Sequence, residues 1–118
     1  MPPRSDPRTH LPLTPRVYHV LLTLADGPLH GYGVILAVQE LTDGVIVLRT
    51  GTLYILLRRL LDQALIEESE KRPAPDDDDE RRRYYMLTPL GRAVLEAESI
   101  RLQSVVAAAR SKLGFKRS

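Results

Sequence analysis

Residues 49–66 read RTGTLYILLRRLLDQALI, and the reading of this stretch decides the architecture. Leu53, Leu56, Leu57, Leu60 and Leu61 fall at i, i+3, i+4, i+7 and i+8, the spacing that aligns side chains on one face of a helix. That face is core. Thr50 is expected to cap the helix, its hydroxyl accepting a hydrogen bond from an orphan backbone N–H of the first turn. At about 100° per residue, Gly51, Ile55, Arg58, Arg59 and Asp62 point away from the leucines, with Thr52 and Tyr54 on the flanks. The outward face is small at its start, which permits close approach of a helix N-terminus, and basic one turn later. Duplex DNA suits such a face, because arginine pairs with phosphates and with guanine edges. An ordinary amphipathic helix with solvated arginines has the same pattern, so the flanking sequence has to decide.

The chain has 118 residues, enough for one domain and too few for two independent cores. With no cysteine, a disulfide framework and thiol-based metal or redox sites are excluded. No apolar run approaches the roughly 20 residues that span a bilayer, and MPPRSDPRTHLP at the N-terminus has no apolar signal-peptide region. A cytoplasmic protein with no membrane partner is the expectation. The net charge of +2 says little about nucleic acid, but the charge is segregated. Basic residues gather at Arg58 and Arg59, at Arg81, Arg82 and Arg83, and at Arg110, Lys112, Lys116 and Arg117, while acids concentrate in Asp76 to Glu80.

Upstream, residues 1–12 hold four of the nine prolines without apolar periodicity and read as a loose or disordered arm, whose Arg4 and Arg8 have the chemistry to touch phosphate. Thr14-Pro15 is a cap with proline at the first helical position, and Val17, Val20, Leu21 and Leu24 give a short helix that stops at Asp26-Gly27-Pro28. A second helix is expected from His30 or Gly31 to Thr42, burying Val34, Ile35, Val38 and Leu41. Gly31 and Gly33 in its first turn cost about 1 kcal/mol each relative to alanine, which points to close packing there. Val45 to Leu48 reads as a short extended connector.

Downstream, Leu65 to Glu70 and Arg82 to Leu87 read as two strands of a hairpin, with Lys71 to Glu80 (KRPAPDDDDE) as its loop. Thr88-Pro89 opens a last helix reaching about Leu113, before Gly114. Leu95, Leu102 and Ala109 recur every seven residues, as do Ser99, Val106 and Leu113, and Val105 lies beside them. Such a one-sided apolar helix on a small domain is expected to bury itself against a second copy.

The order is three helices, a hairpin and a helix, a mainly α winged helix-turn-helix with a long C-terminal dimerisation helix. The segments GPLHGYGV (27–34), GTLYILLRRLLDQALIEE (51–68) and RRRYYMLTPLGRAVLEAE (81–98) resemble the PadR family of bacterial transcriptional regulators, in particular its short members with one C-terminal dimerisation helix. The resemblance covers most of residues 13–113. It implies a homodimeric repressor that binds a pseudo-palindromic operator and is released by a small-molecule effector or another inducing signal. It also places the family's Gly-Thr-Leu-Tyr motif at Gly51 to Tyr54 and its Arg-Tyr-Tyr strand at Arg83 to Tyr85. The sequence departs from the family at Ile55, where proline is frequent, and in its acidic wing tip.

The expected organisation is an arm (1–12), a DNA-binding domain (13–87), a dimerisation helix (88–113) and a tail (114–118). Contacts to double-stranded DNA are expected from Thr50, Gly51, Thr52, Tyr54, Ile55, Arg58 and Arg59, and from Arg81, Arg82 and Arg83, which alternate across their strand so that about half face any one partner. Tyr54 suits either a phosphate contact or a half-buried core position. Dimerisation is assigned to Leu95, Leu102, Val105, Val106, Ala109 and Leu113. His10, His19 and His30 have no metal-ligand spacing, and the aspartate run lacks the spaced ligands and glycine of a calcium loop. No nucleophile elbow or phosphate-binding glycine loop occurs, so neither an enzyme nor a cofactor is expected. A winged-helix module that docks a partner protein instead of DNA is the alternative, favoured by the acidic loop and the small net charge.

Overall fold

The computed structural model describes residues 6–70 and 83–115. Helix α1 (Pro15–Thr23) starts where the Thr14 hydroxyl accepts the Val17 N–H, with proline at the first helical position. A 3-10 turn, Leu24–Asp26, ends it at Gly27. A two-residue strand β1 (Leu29–His30) leads directly into α2 (Gly31–Leu41), and α3 (Thr50–Asp62) follows after a turn. Strands β2 (Ile66–Ser69) and β3 (Tyr84–Leu87) pair antiparallel, with Ile66 opposite Leu87 and Ser69 opposite Tyr84. Helix α4 (Pro89–Leu113) closes the described chain.

The core lies where α1, α2, α3, the sheet and the first turns of α4 meet. Leu21 and Leu24, Val34 and Val38, Leu53, Leu57 and Leu60, Leu65 and Ile66, and Val94 are almost fully buried there. Each such side chain contributes about 1.5–3 kcal/mol of transfer free energy. The start of α4 fits against the turn between α3 and β2 without clearance: Thr88 donates its hydroxyl to the Ala64 carbonyl at 2.6 Å and its N–H to the Leu65 carbonyl at 3.1 Å. A Cβ on Gly91 would lie 1.9 Å from that Leu65 oxygen. Only glycine fits there.

Several expectations are corrected by tertiary contacts. Thr50 does not cap α3: the Leu53 N–H bonds to the Arg49 carbonyl at 2.9 Å, so Arg49 holds the cap position, without a side-chain bond, and Thr50 is already helical. Val45 to Leu48 is a connector between α2 and α3, as expected, but a turn precedes it. The Thr42 hydroxyl accepts the Ile46 N–H at 3.0 Å and bonds the Val38 carbonyl at 2.9 Å, and Asp43 and Gly44 take positive φ, which folds residues 42–46 into a tight turn. Leu41 is exposed and Leu61 half-buried, because each sits at the rim of its helix's apolar stripe.

Nor are residues 6–12 a loose arm. Asp6 caps a 3-10 turn, Pro7–His10, that packs on α4, while Leu11 and Leu13 rest on the core. Within that turn Arg8 pairs with Asp6 at 3.3 Å, whereas Arg4 lies outside the described residues.

Leu95 is also corrected. Its heptad position assigns it to dimerisation, yet it is buried in the chain's own core beside Val94. α4 runs across the domain as far as Glu98 and only then leaves it, so the first heptad position is used internally. Beyond it, Val105, Val106 and Leu113 are exposed and Leu102 and Ala109 half-buried, and Ile100 and Phe115, which the heptad pattern did not mark, are exposed with them.

Candidate nucleic-acid interface

Helix α3 divides as its spacing predicts. Leu53, Leu56, Leu57 and Leu60 anchor one side in the core, and Thr50, Gly51, Thr52, Tyr54, Ile55, Arg58 and Arg59 are exposed on the other. Ile55 is 64% exposed, an apolar side chain with no protein surface to cover it fully. Arg58 lies 3.9 Å from Asp62 one turn on, with both side chains largely exposed. A pair of this kind is worth about 0.3–0.5 kcal/mol, so a phosphate or a base edge can displace the aspartate at little cost.

The wing stands next to this helix. At its base Arg83 is exposed, with its Nε 3.8 Å from a Glu68 carboxylate oxygen on the paired strand. Arg81, Arg82 and the acidic run Asp76 to Glu80 lie outside the described residues. Strand β1, too short to stand out in the sequence, pairs with β3 through Leu29 opposite Tyr85 and His30 opposite Tyr84. It ties the wing's inner strand to the first residue of α2, giving a sheet of order β1-β3-β2.

His30, which has no metal-ligand spacing, caps a helix. Its Nδ1 accepts the Gly33 N–H at 3.0 Å and so caps α2, while its ring meets the Tyr84 ring edge-on at 5.3 Å. Histidine is outside the usual capping set of Ser, Thr, Asp and Asn, which is why the sequence carried no signal for it. The expected close packing in this turn holds at Gly31: a Cβ there would lie 2.7 Å from the Tyr54 hydroxyl oxygen. Tyr54 itself is 49% exposed, so its ring bridges from α3 to the start of α2 at the protein surface. Tyr85 is buried close by, and burial, followed by the proximity of Tyr54 and Glu68, raises its phenol pKa above the ordinary value.

The exposed side of α3, the start of α2 and the foot of the wing thus form one continuous surface. Among the described residues no group of three His, Cys, Asp or Glu side chains is placed to hold a metal, and no helix is long and apolar enough to cross a membrane. The surface joins a small-residue helix start to exposed arginines, a chemistry that can dock on an anionic duplex.

The Transcriptional regulator PadR-like family matches residues 20–97, the stretch that contains all of this surface. The chain belongs to that family. Its fold is that of solved PadR structures, a winged helix with a long C-terminal helix. A PadR-like transcriptional regulator from Bacillus cereus superposes with a TM-score of 0.69 at 21% identity, over 85% of this chain and 92% of that one. A PadR family regulator from Eggerthella lenta is 26% identical, with a TM-score of 0.61 over 93% and 87% of the two chains. Bacillus subtilis PadR in complex with operator DNA gives a TM-score of 0.57 at 22% identity, over 69% of this PadR-like chain and 44% of that protein. Among curated proteins none matches.

Proposed function

We propose that this chain is a DNA-binding transcriptional regulator that works in the cytoplasm as a homodimeric repressor of a pseudo-palindromic operator, released by a small effector or another inducing signal. The observation that carries the reading is the exposed side of α3. Arg58 and Arg59 lie about two turns from a small-residue helix start, on the helix that follows the turn of a helix-turn-helix. Thr50, Gly51, Thr52 and Tyr54 serve the backbone at the helix start, Ile55, Arg58 and Arg59 face the major groove, and Arg83, with Arg81 and Arg82, serves the wing. The operator complex of Bacillus subtilis PadR, which shares this fold, supports DNA as the partner.

The dimer is proposed through the far half of α4. Residues 99–113 project about 22 Å at 1.5 Å per residue, with Leu102, Val105, Val106, Ala109 and Leu113 among the side chains left there. A half-turned second copy would cover them and place two α3 helices on successive turns of one duplex face.

The test is a mobility shift on DNA from upstream of the chain's own gene, repeated at two salt concentrations. Binding that favours this DNA over an unrelated duplex and weakens steeply with salt is expected. Equal, weak binding to both would sink the reading and leave a protein-docking module in its place.

A further inference from the structure

The Tyr54 side chain of α3 packs against a glycine in another helix. Its hydroxyl rests against Gly31 so closely that a Cβ there would sit 2.7 Å from the hydroxyl oxygen and 3.1 Å from the ring carbon bearing it. Gly31 is buried, has no positive φ, and stands at the first position of α2. Backbone freedom is therefore not what requires glycine here, and alanine would favour the helix by about 1 kcal/mol. What requires it is the room taken by the Tyr54 tip. Tyr54 as a residue is half-exposed, and its hydroxyl has no hydrogen-bond partner among the described residues. A buried phenol would need one, whereas this one faces the surface that α3 shares with the wing.

We propose that Gly31 is a positioning residue for DNA binding. By leaving out a side chain at the start of α2, it gives the tip of the Tyr54 ring its seat on that turn and so fixes where the hydroxyl stands, as a donor to a phosphate oxygen of the duplex backbone. The proposal rests on the DNA-binding reading and adds to it a residue that touches no DNA. Gly31→Ala does not endanger the fold, because the two atoms a Cβ would crowd belong to the far end of one half-exposed side chain and not to backbone. The ring tip moves by several tenths of an ångström instead, enough to spoil a hydrogen bond whose distance tolerance is of that order.

The experiment is a double-mutant cycle on the full chain with Gly31→Ala, Tyr54→Ala and both, each checked for helix content. Binding is measured to a duplex selected from a random pool by the wild-type protein, and the Tyr54 ring resonances are followed in Gly31→Ala. Each single variant should bind about ten-fold more weakly, the loss of one hydrogen bond to a charged group, and the double variant no more weakly than Tyr54→Ala alone. In the Tyr54→Ala background the alanine at 31 should raise the melting temperature. Equal additional loss from Gly31→Ala in both backgrounds would mean that glycine serves α2 itself, and would overturn the proposal. So would unchanged ring resonances. Shifted resonances in a protein that selects no duplex sink the DNA-binding reading, and the positioning role with it. Shifted resonances with wild-type affinity sink the positioning role alone.

Discussion

The Glu98 carboxylate, in the middle of α4, accepts the backbone N–H of Leu13 at 2.8 Å, across 85 positions of sequence. Arg101, one turn on, closes over the same carboxylate with two hydrogen bonds from its guanidinium. Next to it the Tyr18 hydroxyl bonds to the Ser99 hydroxyl at 2.8 Å. Two consecutive α4 residues thus pin the N-terminal end of α1 where α4 leaves the domain. A carboxylate 1% exposed is tolerable there because both oxygens are satisfied.

These bonds give the domain an acid-sensitive joint. The Arg101 guanidinium first, and the Leu13 N–H after it, hold the Glu98 pKa below its ordinary 4.5. The carboxylate is therefore favoured in the folded state: its contribution is complete above the unfolded value and is lost as pH falls through the lowered folded one. The melting temperature of wild type should drop on that acid side, and Glu98→Gln should show a shallower drop from a lower start. Glu98→Ala, which leaves the Leu13 N–H unsatisfied, should cost about 1–3 kcal/mol at neutral pH. Thermal melts across a pH series check all three, and parallel curves for wild type and Glu98→Gln would remove Glu98 from the acid response.

Gly91→Ala should be among the most damaging single changes. A Cβ 1.9 Å from the Leu65 carbonyl oxygen meets backbone, which cannot rotate aside. Prying α4 from the turn before β2 would cost about 3 kcal/mol or more, read as a lower midpoint in urea unfolding. A midpoint within error of wild type would show that α4 does not dock as closely as described.

Arg58→Ala and Arg59→Ala should each weaken operator binding in a diagnostic way. An arginine on a guanine edge should cost about 1–3 kcal/mol and relax preference at one base pair. One on phosphate should weaken all sequences alike and lower the salt slope by about one unit. Titrations of a base-substitution series at two salt concentrations separate the outcomes, and a double variant that binds like wild type would remove α3 from the interface.

Ile55 stands 64% exposed in the middle of the same face, where an apolar side chain suits a thymine methyl in the major groove. Ile55→Ala should weaken only sites with thymine at the facing position. A loss that is equal for all four bases there would mean that Ile55 acts on the helix rather than on the DNA.

Val106→Asp should separate the proposed dimer. Val106 is 44% exposed in the single chain, so a charge there leaves the domain folded, whereas in a helix pair it would be desolvated without a partner. Sedimentation should give a dimer for wild type and a monomer of native helix content for the variant. A wild-type monomer at micromolar concentration would end the α4 pairing.

Leu53, Leu56, Leu57 and Leu60 announce both the existence of α3 and the side it buries, because helical periodicity is a local property that a linear string carries in full. The same holds for the Thr14-Pro15 and Thr88-Pro89 starts, for the hairpin strands, and for the outward Arg58 and Arg59. What only the tertiary structure decided are pairings between residues far apart in sequence. β1 exists because β3 offers it an edge, and His30 caps α2 where no usual capping residue stands. Leu13 becomes ordered because a buried Glu98 needs its N–H. Leu95 keeps the heptad's phase yet faces inward, since phase specifies a direction around the helix and not what lies in that direction. Gly31 reads as a costly glycine until the Tyr54 ring is placed upon it. In each case the deciding contact is non-local, and its energy depends on a partner that spacing along the chain does not identify.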